Sequence, residues 1–363
     1  MASILEHVAW ERALIAPSTD RELEAYARRR QGVPNPSVRY FAPVPWLARA
    51  LIDLHPEYGF LVHLEQDVAD LVALVVSQEN SCRFCYAAVR AMLWSQGMSL
   101  ARIQRLEHDL TRADLPPRTV AALAFGRSQS RSGPSAARAA RKALQEAGFG
   151  VDEMKEIAYV VAGTDFSNRA TTITAVPVRG IERLPERWHM RLLRPIMGRL
   201  LRSRHVRGRP TPLEGVPSHP YAGLVKAYAG SPIAPALSRT LEEMWDSPHL
   251  PRRCKLLMIA VIARGLGCEV CGAEVGEALR KEGLTDATVA QVLTHLDAPE
   301  LDAVERLLVP FARETIWYEP APLQRRARAL LAHLSGPQVL EAIGVAALAN
   351  GLCRMGAMVF CEP

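Results

Sequence analysis

Two cysteines three residues apart, Cys82 and Cys85, carry the clearest chemistry in this chain of 363 residues. At that spacing on a helix, both sulfurs lie on one face. We expect Asn80 or Ser81 to cap the helix, so that free backbone N–H groups in its first turn favour a thiolate. A thiolate attacks peroxides and disulfides, and the second thiol resolves the product. A metal half-site and a pair of inert core cysteines remain alternatives for this motif.

Other polar residues near the motif could assist thiol chemistry. Asp70 and Glu79 precede it and could move protons, while Tyr86 could hydrogen-bond a substrate oxygen. Arg90 could lower the pKa of a thiol, and His63 could approach the site. We therefore predict a redox-active disulfide that needs no other cofactor, and no metal site.

The composition favours a helical, globular protein. Hydrophobic residues make up 49% of the chain and aromatic residues only 6%, and β-branched runs are short. The length predicts two domains. The longest apolar stretches, near 256–263 and 343–349, are expected to fall short of a membrane span. Acidic residues stand where a signal peptide would need an apolar run, so we expect a cytoplasmic protein.

The pattern along the chain predicts four segments. Residues 1–40 form an N-terminal arm with helices over 6–14 and 21–30, and residues 41–178 form a first domain that contains the CxxC motif. Residues 179–219 form a linker rich in proline and arginine, and residues 220–363 form a second domain. In the first domain the apolar spacing predicts a helix over 63–76, a CxxC helix that runs to Trp94, and a long helix that Asp152 caps.

The linker holds most of the positive charge. Residues 179–209 contain ten arginines against Glu182 and Glu186, a local net charge of +8 in a chain whose total is +6. Residues 188–205 are amphipathic, which fits either a surface for anionic lipid or nucleic acid, or a basic linker that packs on its own protein. No aromatic-interleaved motif accompanies the charge, so we predict no nucleic-acid partner. A weak contact of residues 188–209 with an anionic membrane stays open.

The cysteine motif occurs twice. Cys268 and Cys271 repeat it in the second half of the chain, and the shift that carries Cys82 onto Cys268 also carries His63 onto His249. Arg354 follows Cys268 at almost the same distance as Arg169 follows Cys82. This agreement predicts two copies of one helical unit.

Each half resembles the alkylhydroperoxidase D-like and carboxymuconolactone decarboxylase family. The resemblance rests on an apolar helix, a CxxC helix, and a distal element, Phe166-Ser167-Asn168-Arg169. It implies an all-α fold of two tandem domains and a homo-oligomer, in which a trimer of chains would give a ring of six units. It also implies reduction of a small peroxide or disulfide by Cys82 and Cys85, with an unspecified thiol as electron donor. Substrate-binding positions are then His63, Arg90, Asn168 and Arg169.

The chain departs from the family in its proton relay. The relay carboxylate falls on Asp70, but Phe84 and Val89 stand at the positions of the two relay histidines. In the second copy the three positions hold Leu256, Val270 and Val275. Because Glu269 and Glu274 also oppose a thiolate there, we expect Cys268 and Cys271 to be structural.

Three other interpretations remain. A catalytically degenerate scaffold or partner-binding protein would keep the fold without the reaction. A decarboxylase-like lyase would use Arg90 and Arg169 to hold a lactone carboxylate. A joint zinc site of all four motif cysteines has the right ligand count, although nothing in the family's packing brings the two motifs together.

Overall fold

The computed structural model describes residues 4–31, 35–55, 59–109, 114–131, 134–178, 180–203, 205–215, 219–317 and 319–360. These residues form seventeen α-helices and no β-strand, and an isolated antiparallel β-bridge joins Thr211 to Gly230. The all-α class, which the composition favours and the resemblance implies, is therefore confirmed.

The helices divide into a first half, a connecting helix and a second half. The first half contains α1 (Arg21–Gln31), α2 (Pro45–Asp53), α3 (Gln66–Glu79), α4 (Arg83–Ser95), α5 (Leu100–His108), α6 (Pro117–Arg131), α7 (Pro134–Glu146) and α8 (Val151–Ile173). The connection contains α9 (Trp188–Arg202). The second half contains α10 (Ala222–Ala227), α11 (Ile233–Asp246), α12 (Arg252–Leu266), α13 (Glu269–Lys281), α14 (Asp286–His295), α15 (Ala303–Glu314), α16 (Pro320–Leu330) and α17 (Gly336–Phe360).

The helices of the second half follow those of the first at a nearly constant offset. The shift that carries Cys82 onto Cys268 also carries the first residue of each helix from α3 to α7 onto the first residue of its counterpart among α12 to α16. The starts of α8 and α17 correspond after a shift that is shorter by a single position. Helix order and spacing thus repeat along the chain. That each half is an alkylhydroperoxidase D-like domain stays a prediction.

The two long helices, α8 and α17, cross at the centre of the protein. At Gly351 a Cβ atom would lie 2.7 Å from the carbonyl oxygen of Ala162, so only glycine permits this approach. The buried apolar side chains of both halves form one contiguous cluster. The halves therefore share a core in addition to being joined by residues 179–219.

The N-terminal residues lie against this core. Leu5 and Leu14 are buried, the Leu14 N–H donates to the Thr174 carbonyl (2.9 Å), and the Trp10 indole N–H donates to the Val176 carbonyl (3.1 Å). The predicted helix over 6–14 is wrong, because the chain here bonds to the end of α8 and the residues after it. The predicted helix over 21–30 corresponds to α1.

Helix α9 lies across the C-terminal end of α4. A side chain at Gly198 would collide with the carbonyl oxygen of Ser95, so the two backbones can approach only because this residue is glycine. The Arg194 guanidinium donates to the carbonyls of Trp94 (2.8 Å) and Met98 (3.2 Å). A cation at a helix C-terminus is favourable, so these contacts hold α9 in place.

Helix α17 is long and apolar enough, by length and composition alone, to cross a bilayer. The sequence pattern predicts no stretch of that kind. In its most apolar window 83% of the residues are buried inside the protein, which is typical of a core helix.

Candidate active site

The first CxxC motif forms the start of α4. Cys82 itself is the N-cap, and its sulfur accepts a hydrogen bond from the Cys85 N–H at 3.3 Å. The expected cap at Asn80 or Ser81 is wrong: Asn80 ends α3, and Ser81 takes the left-handed conformation (φ 51°) that turns the chain into α4. The Cys82 sulfur therefore lies where the helix dipole and a backbone donor favour a thiolate.

A threonine of α8 joins the two sulfurs. The Thr171 hydroxyl oxygen lies 3.3 Å from the Cys82 sulfur and 3.1 Å from the Cys85 sulfur. It also lies 2.7 Å from the Ser167 carbonyl oxygen, one helical turn earlier. A hydroxyl has a single proton, so it can donate to only one of these three partners at a time. Thr171 can thus donate to a thiolate or accept from a thiol.

The two thiols have pKa values shifted in opposite directions. Burial by itself raises the pKa of Cys82, but hydrogen bonds from the Cys85 thiol and from Thr171 lower it to about 7. Burial raises the pKa of Cys85 well above its ordinary value, and the neighbouring Cys82 adds to that effect. The favoured arrangement is a Cys82 thiolate that accepts a hydrogen bond from a neutral Cys85 thiol.

Only one of the two sulfurs faces a cavity. A cavity of about 660 Å³ is lined by Cys85 and Thr171 but not by Cys82. Most of its wall is apolar, and the family's relay positions, Phe84 and Val89, belong to that wall. A ligand in this cavity would reach Cys85 first, with Cys82 behind it.

Helix α8 contributes more polar groups to the cavity wall than any other helix, and α3 and residues 31 and 35–37 contribute others. The Ser77 hydroxyl donates to the Asn168 side-chain oxygen at 3.2 Å, and both residues line the cavity together with Thr164 and Ser167. Asn168 is the only one of the four predicted substrate-binding residues that belongs to this wall as the structure describes it. These neutral groups could hydrogen-bond a ligand oxygen without selecting for charge.

A histidine that sequence reasoning missed also lines the cavity. Burial lowers the pKa of His55 to about 4, although the Asp70 carboxylate opposes that effect. Asp70 is buried and accepts hydrogen bonds from the side-chain amides of Gln66 (2.8 Å) and Gln96 (3.1 Å). His205, which follows α9, lies 3.7 Å from the same carboxylate. Asp70 therefore interacts with two histidines, His55 and His205, that lie outside the CxxC helix.

Two residues predicted to assist the thiols, Arg90 and Tyr86, lie beside Glu107 instead. The Arg90 guanidinium pairs with Glu107 at 3.1 Å, and both side chains are buried. Burial raises the pKa of Tyr86 far above its ordinary value, and Glu107 adds to the effect. Arg90 and Tyr86 are not among the residues that line the cavity. The structure therefore joins them to Glu107 rather than to the thiols.

The remaining predicted residues form contacts of their own. Glu79 pairs with Arg127 of α6 at 2.9 Å. The His63 side chain is exposed, and its backbone N–H donates to the Glu156 carboxylate at 3.0 Å. Neither Glu79 nor His63 lines the cavity beside Cys85.

Arg169 is directed at the second half of the chain. It forms an ion pair with Asp165, and it donates to the carbonyls of Thr315 and Ile316, each at 3.0 Å. Arg354 of α17 donates to the same Ile316 carbonyl at 3.2 Å. These buried contacts join the halves, so the arginine predicted to bind substrate is engaged in an interface between them.

The second CxxC motif is a disulfide. Cys268 and Cys271 are bonded to each other and buried at the start of α13. When α17 is aligned on α8 through Arg354 and Arg169, Gly356 stands where the first half has Thr171, so the hydroxyl is missing. A Cβ atom at Gly356 would lie 3.0 Å from each of the two sulfurs, which confirms that it occupies the equivalent place.

The disulfide bears on metal binding as well. Bonded sulfurs cannot act as thiolate ligands, which argues against the joint zinc site. Within the described ranges, no three His, Cys, Asp or Glu side chains are grouped to hold a metal ion.

No protein-family model, curated protein or solved structure matches this chain.

Proposed function

We propose that the protein is a dithiol oxidoreductase that reduces a small apolar peroxide or disulfide in the cavity beside Cys85. The observation that carries the proposal is the arrangement of the free thiols. Cys85 faces the cavity, Cys82 lies behind it with a pKa of about 7, and Thr171 contacts both sulfurs. This arrangement supplies a nucleophile, a base and a resolving thiolate without the relay histidines.

Reduction of a peroxide begins at Cys85. Its sulfur attacks the terminal oxygen of ROOH as its proton passes to the Cys82 thiolate. The O–O bond breaks, Cys85 becomes a sulfenic acid, and the leaving alkoxide takes a proton from Cys82 by way of the Thr171 hydroxyl. Cys82 is then a thiolate again and is placed to attack.

The second step closes the disulfide. The Cys82 thiolate attacks the Cys85 sulfur, an S–S bond forms, and the hydroxide that leaves takes a proton from solvent to become water. One thiolate, one thiol, ROOH and a solvent proton have then given one disulfide, ROH and water. With a disulfide substrate, Cys85 instead forms a mixed disulfide and releases one thiol, and Cys82 displaces the other. An external thiol donor returns the enzyme to its dithiol form by the same exchange.

The chemistry of the cavity wall favours an uncharged substrate. Its polar groups are hydroxyls and amides, and His55 is neutral at pH 7 because its pKa is about 4. A lyase that holds a lactone carboxylate would need a cation, but Arg90 and Arg169 are paired with Glu107 and Asp165. The geometry gives the lyase no comparable support. A degenerate scaffold predicts instead that neither thiol reacts at neutral pH.

The wider assignment rests on the resemblance and on the repeated helix spacing. We infer a tandem protein of the alkylhydroperoxidase D-like class, cytoplasmic and homo-oligomeric, in which the first half performs the reaction and the second is structural. The Cys268–Cys271 disulfide and Gly356 support this division, because the second half has neither a free thiol at its motif nor a hydroxyl beside it.

Counting thiols during peroxide consumption tests the proposal. Reduced wild-type protein mixed with cumene hydroperoxide should lose two thiols for each peroxide consumed. The Cys85→Ser variant should consume none. The Cys82→Ser variant should react slowly and stop at a sulfenic acid on Cys85, which dimedone traps. Cys254→Ser is the matched control and should behave as wild type, because its thiol is buried and its pKa is about 12.

Two outcomes would overturn the proposal. If wild type and Cys85→Ser lose thiols equally, the cavity thiol is not the nucleophile. If wild type loses no thiols at neutral pH with either cumene hydroperoxide or a small apolar disulfide, the scaffold interpretation replaces the proposal.

A further inference from the structure

The outward face of α9 is apolar although it faces solvent. Trp188, Leu192, Ile196 and Leu200 follow one another at intervals of four residues, so they form one stripe. Their exposed fractions are 73%, 70%, 68% and 43%. Large side chains this exposed on consecutive turns form a contiguous patch, which soluble proteins keep for binding.

Apart from Leu200, which also lines the cavity, the fold does not use this stripe for its own packing. Helix α9 contacts the rest of the protein through its other face, where Met190, Met197 and Leu201 line the cavity and Arg194 bonds to α4. The packed face agrees with a basic linker that packs on its own protein, and the exposed face leaves room for the other interpretation. One side packs on the protein, and the other is left for a partner.

The charge beside the stripe is uniformly positive. Between Glu186 and Glu214 the sequence contains no acidic residue. Arg191 and Arg199 are exposed on α9, and Arg207 is exposed a few residues after it. Arginine side chains that border an apolar stripe place their guanidinium groups at the level of anionic headgroups while the stripe enters the acyl region.

We propose that this face of α9 docks on an anionic lipid bilayer. Trp188 at the start of the helix has the amphipathic ring that is enriched at membrane interfaces, and the arginines complement acidic headgroups. A second copy of the chain is a poorer occupant, because a two-fold contact through this face would bring the same arginines together. An anionic bilayer suits both features at once, because its acyl region is apolar and its headgroup surface is negative.

Docking in this way would place the cavity at the membrane. Leu200 belongs to the exposed stripe and also lines the cavity beside Cys85, so the apolar surface continues from one to the other. An apolar ligand could then enter from the acyl region without crossing water. The docking surface is separate from the thiol chemistry, and it holds whether or not Cys85 reacts with peroxide.

Vesicle sedimentation tests the docking surface. The full chain should sediment with vesicles of equal parts phosphatidylcholine and phosphatidylserine, and much less with phosphatidylcholine alone or at high salt. The triple variant Arg191→Ser/Arg199→Ser/Arg207→Ser should bind about a hundredfold more weakly. Leu192→Ser/Ile196→Ser should weaken binding by about tenfold or more. These positions are exposed, so thermal unfolding should match wild type.

Two controls test whether binding depends on this face of α9 and not on the total charge of the protein or on the thiols. Arg28→Ser/Arg29→Ser removes two exposed arginines of α1 and should leave binding nearly unchanged. Cys82→Ser/Cys85→Ser should also bind as wild type, so that a failure of the redox proposal leaves this one intact.

Three outcomes would overturn the proposal. The first is no binding to the mixed vesicles at low salt. The second is binding that the α9 variants do not weaken. The third is self-association, measured by light scattering without lipid, that Leu192→Ser/Ile196→Ser abolishes, which would assign the stripe to a second copy of the chain.

Discussion

Replacing Thr171 by valine tests the reactive arrangement most directly. The change keeps the shape of the side chain and removes the hydroxyl that lies 3.3 Å from the Cys82 sulfur and 3.1 Å from the Cys85 sulfur. A hydrogen bond to a charged group contributes about 1.5–3 kcal/mol. A pKa change of one corresponds to about 1.4 kcal/mol. We therefore expect the pKa of Cys82, which is about 7 in wild type, to be higher by about one to two pH units in the variant.

The sign and size of the effect follow from the thiolate population. Wild-type Cys82 is about half ionised at pH 7, and in Thr171→Val the ionised fraction should fall to about a tenth or less. Because Cys82 must be a thiolate to accept the proton of Cys85, the rate of peroxide reduction should rise with pH through about 7 in wild type. In the variant this rise should occur at higher pH, and the rate at pH 7 should fall at least in proportion.

Thiolate absorbance in the ultraviolet, followed against pH, measures the change. Burial raises the pKa values of Cys254 and Cys353 to about 12, and Cys361, which lies outside the described residues, is replaced by serine in every protein compared, so below pH 10 the signal reports Cys82. Thr171→Ser should restore the wild-type curve because it keeps the hydroxyl. Thr164→Val removes another hydroxyl of the cavity wall and should have no effect. If Thr171→Val titrates like wild type, the hydroxyl does not stabilise the thiolate and the proposed proton path is wrong.

Two further predictions concern stability. His55 has a folded-state pKa of about 4, below its unfolded value, so its stabilising contribution is complete above pH 6.5 and is lost as pH falls toward 4. Urea unfolding should therefore show a loss of about 2–3 kcal/mol over that range that His55→Gln lacks, and equal losses in both proteins would contradict this. Asp165→Asn should destabilise the protein by about 3–5 kcal/mol, because it leaves Arg169 and Arg354 buried beside a neutral group. Asp286→Asn, in an exposed pair, should cost about 1 kcal/mol or less, and similar losses for the two would refute the distinction.

Most helices could be predicted from sequence because their signals are local. Apolar spacing predicts the helices around the motif to within a few residues, and a local signal of the same kind, the Ser99 hydroxyl that accepts from the Arg102 N–H, caps α5. The caps of α4 and α8 were misplaced because the true N-caps, Cys82 and Gly150, carry weaker signals than their polar neighbours. The segment over 6–14 escaped prediction because its backbone partners lie far away along the chain, at the end of α8 and just after it.

The candidate site could be predicted only as far as the spacing of its cysteines. Thr171 lies on a helix far along the chain from Cys82, and His55 stands after α2 with no motif around it. One signal for Thr171 was present: with Arg169 aligned on Arg354, the half with the disulfide has glycine at that position. Sequence spacing does not show where a side chain points, so it could not decide which polar residues reach the thiols. Each of four candidates instead contacts another partner: Glu79, Tyr86, Arg90 and Arg169.

Because α8 and α17 cross within one polypeptide, the two halves can acquire different substitutions. If the halves were separate subunits, they would part on dilution, and every substitution would appear in both. Within one polypeptide their contact has a fixed, high effective concentration, and a substitution alters only one side. The half that ends in α17 can therefore hold a closed disulfide and a glycine, while the half that ends in α8 keeps two thiols and a hydroxyl. Fusion in one chain lets one side serve as a permanent partner for the other.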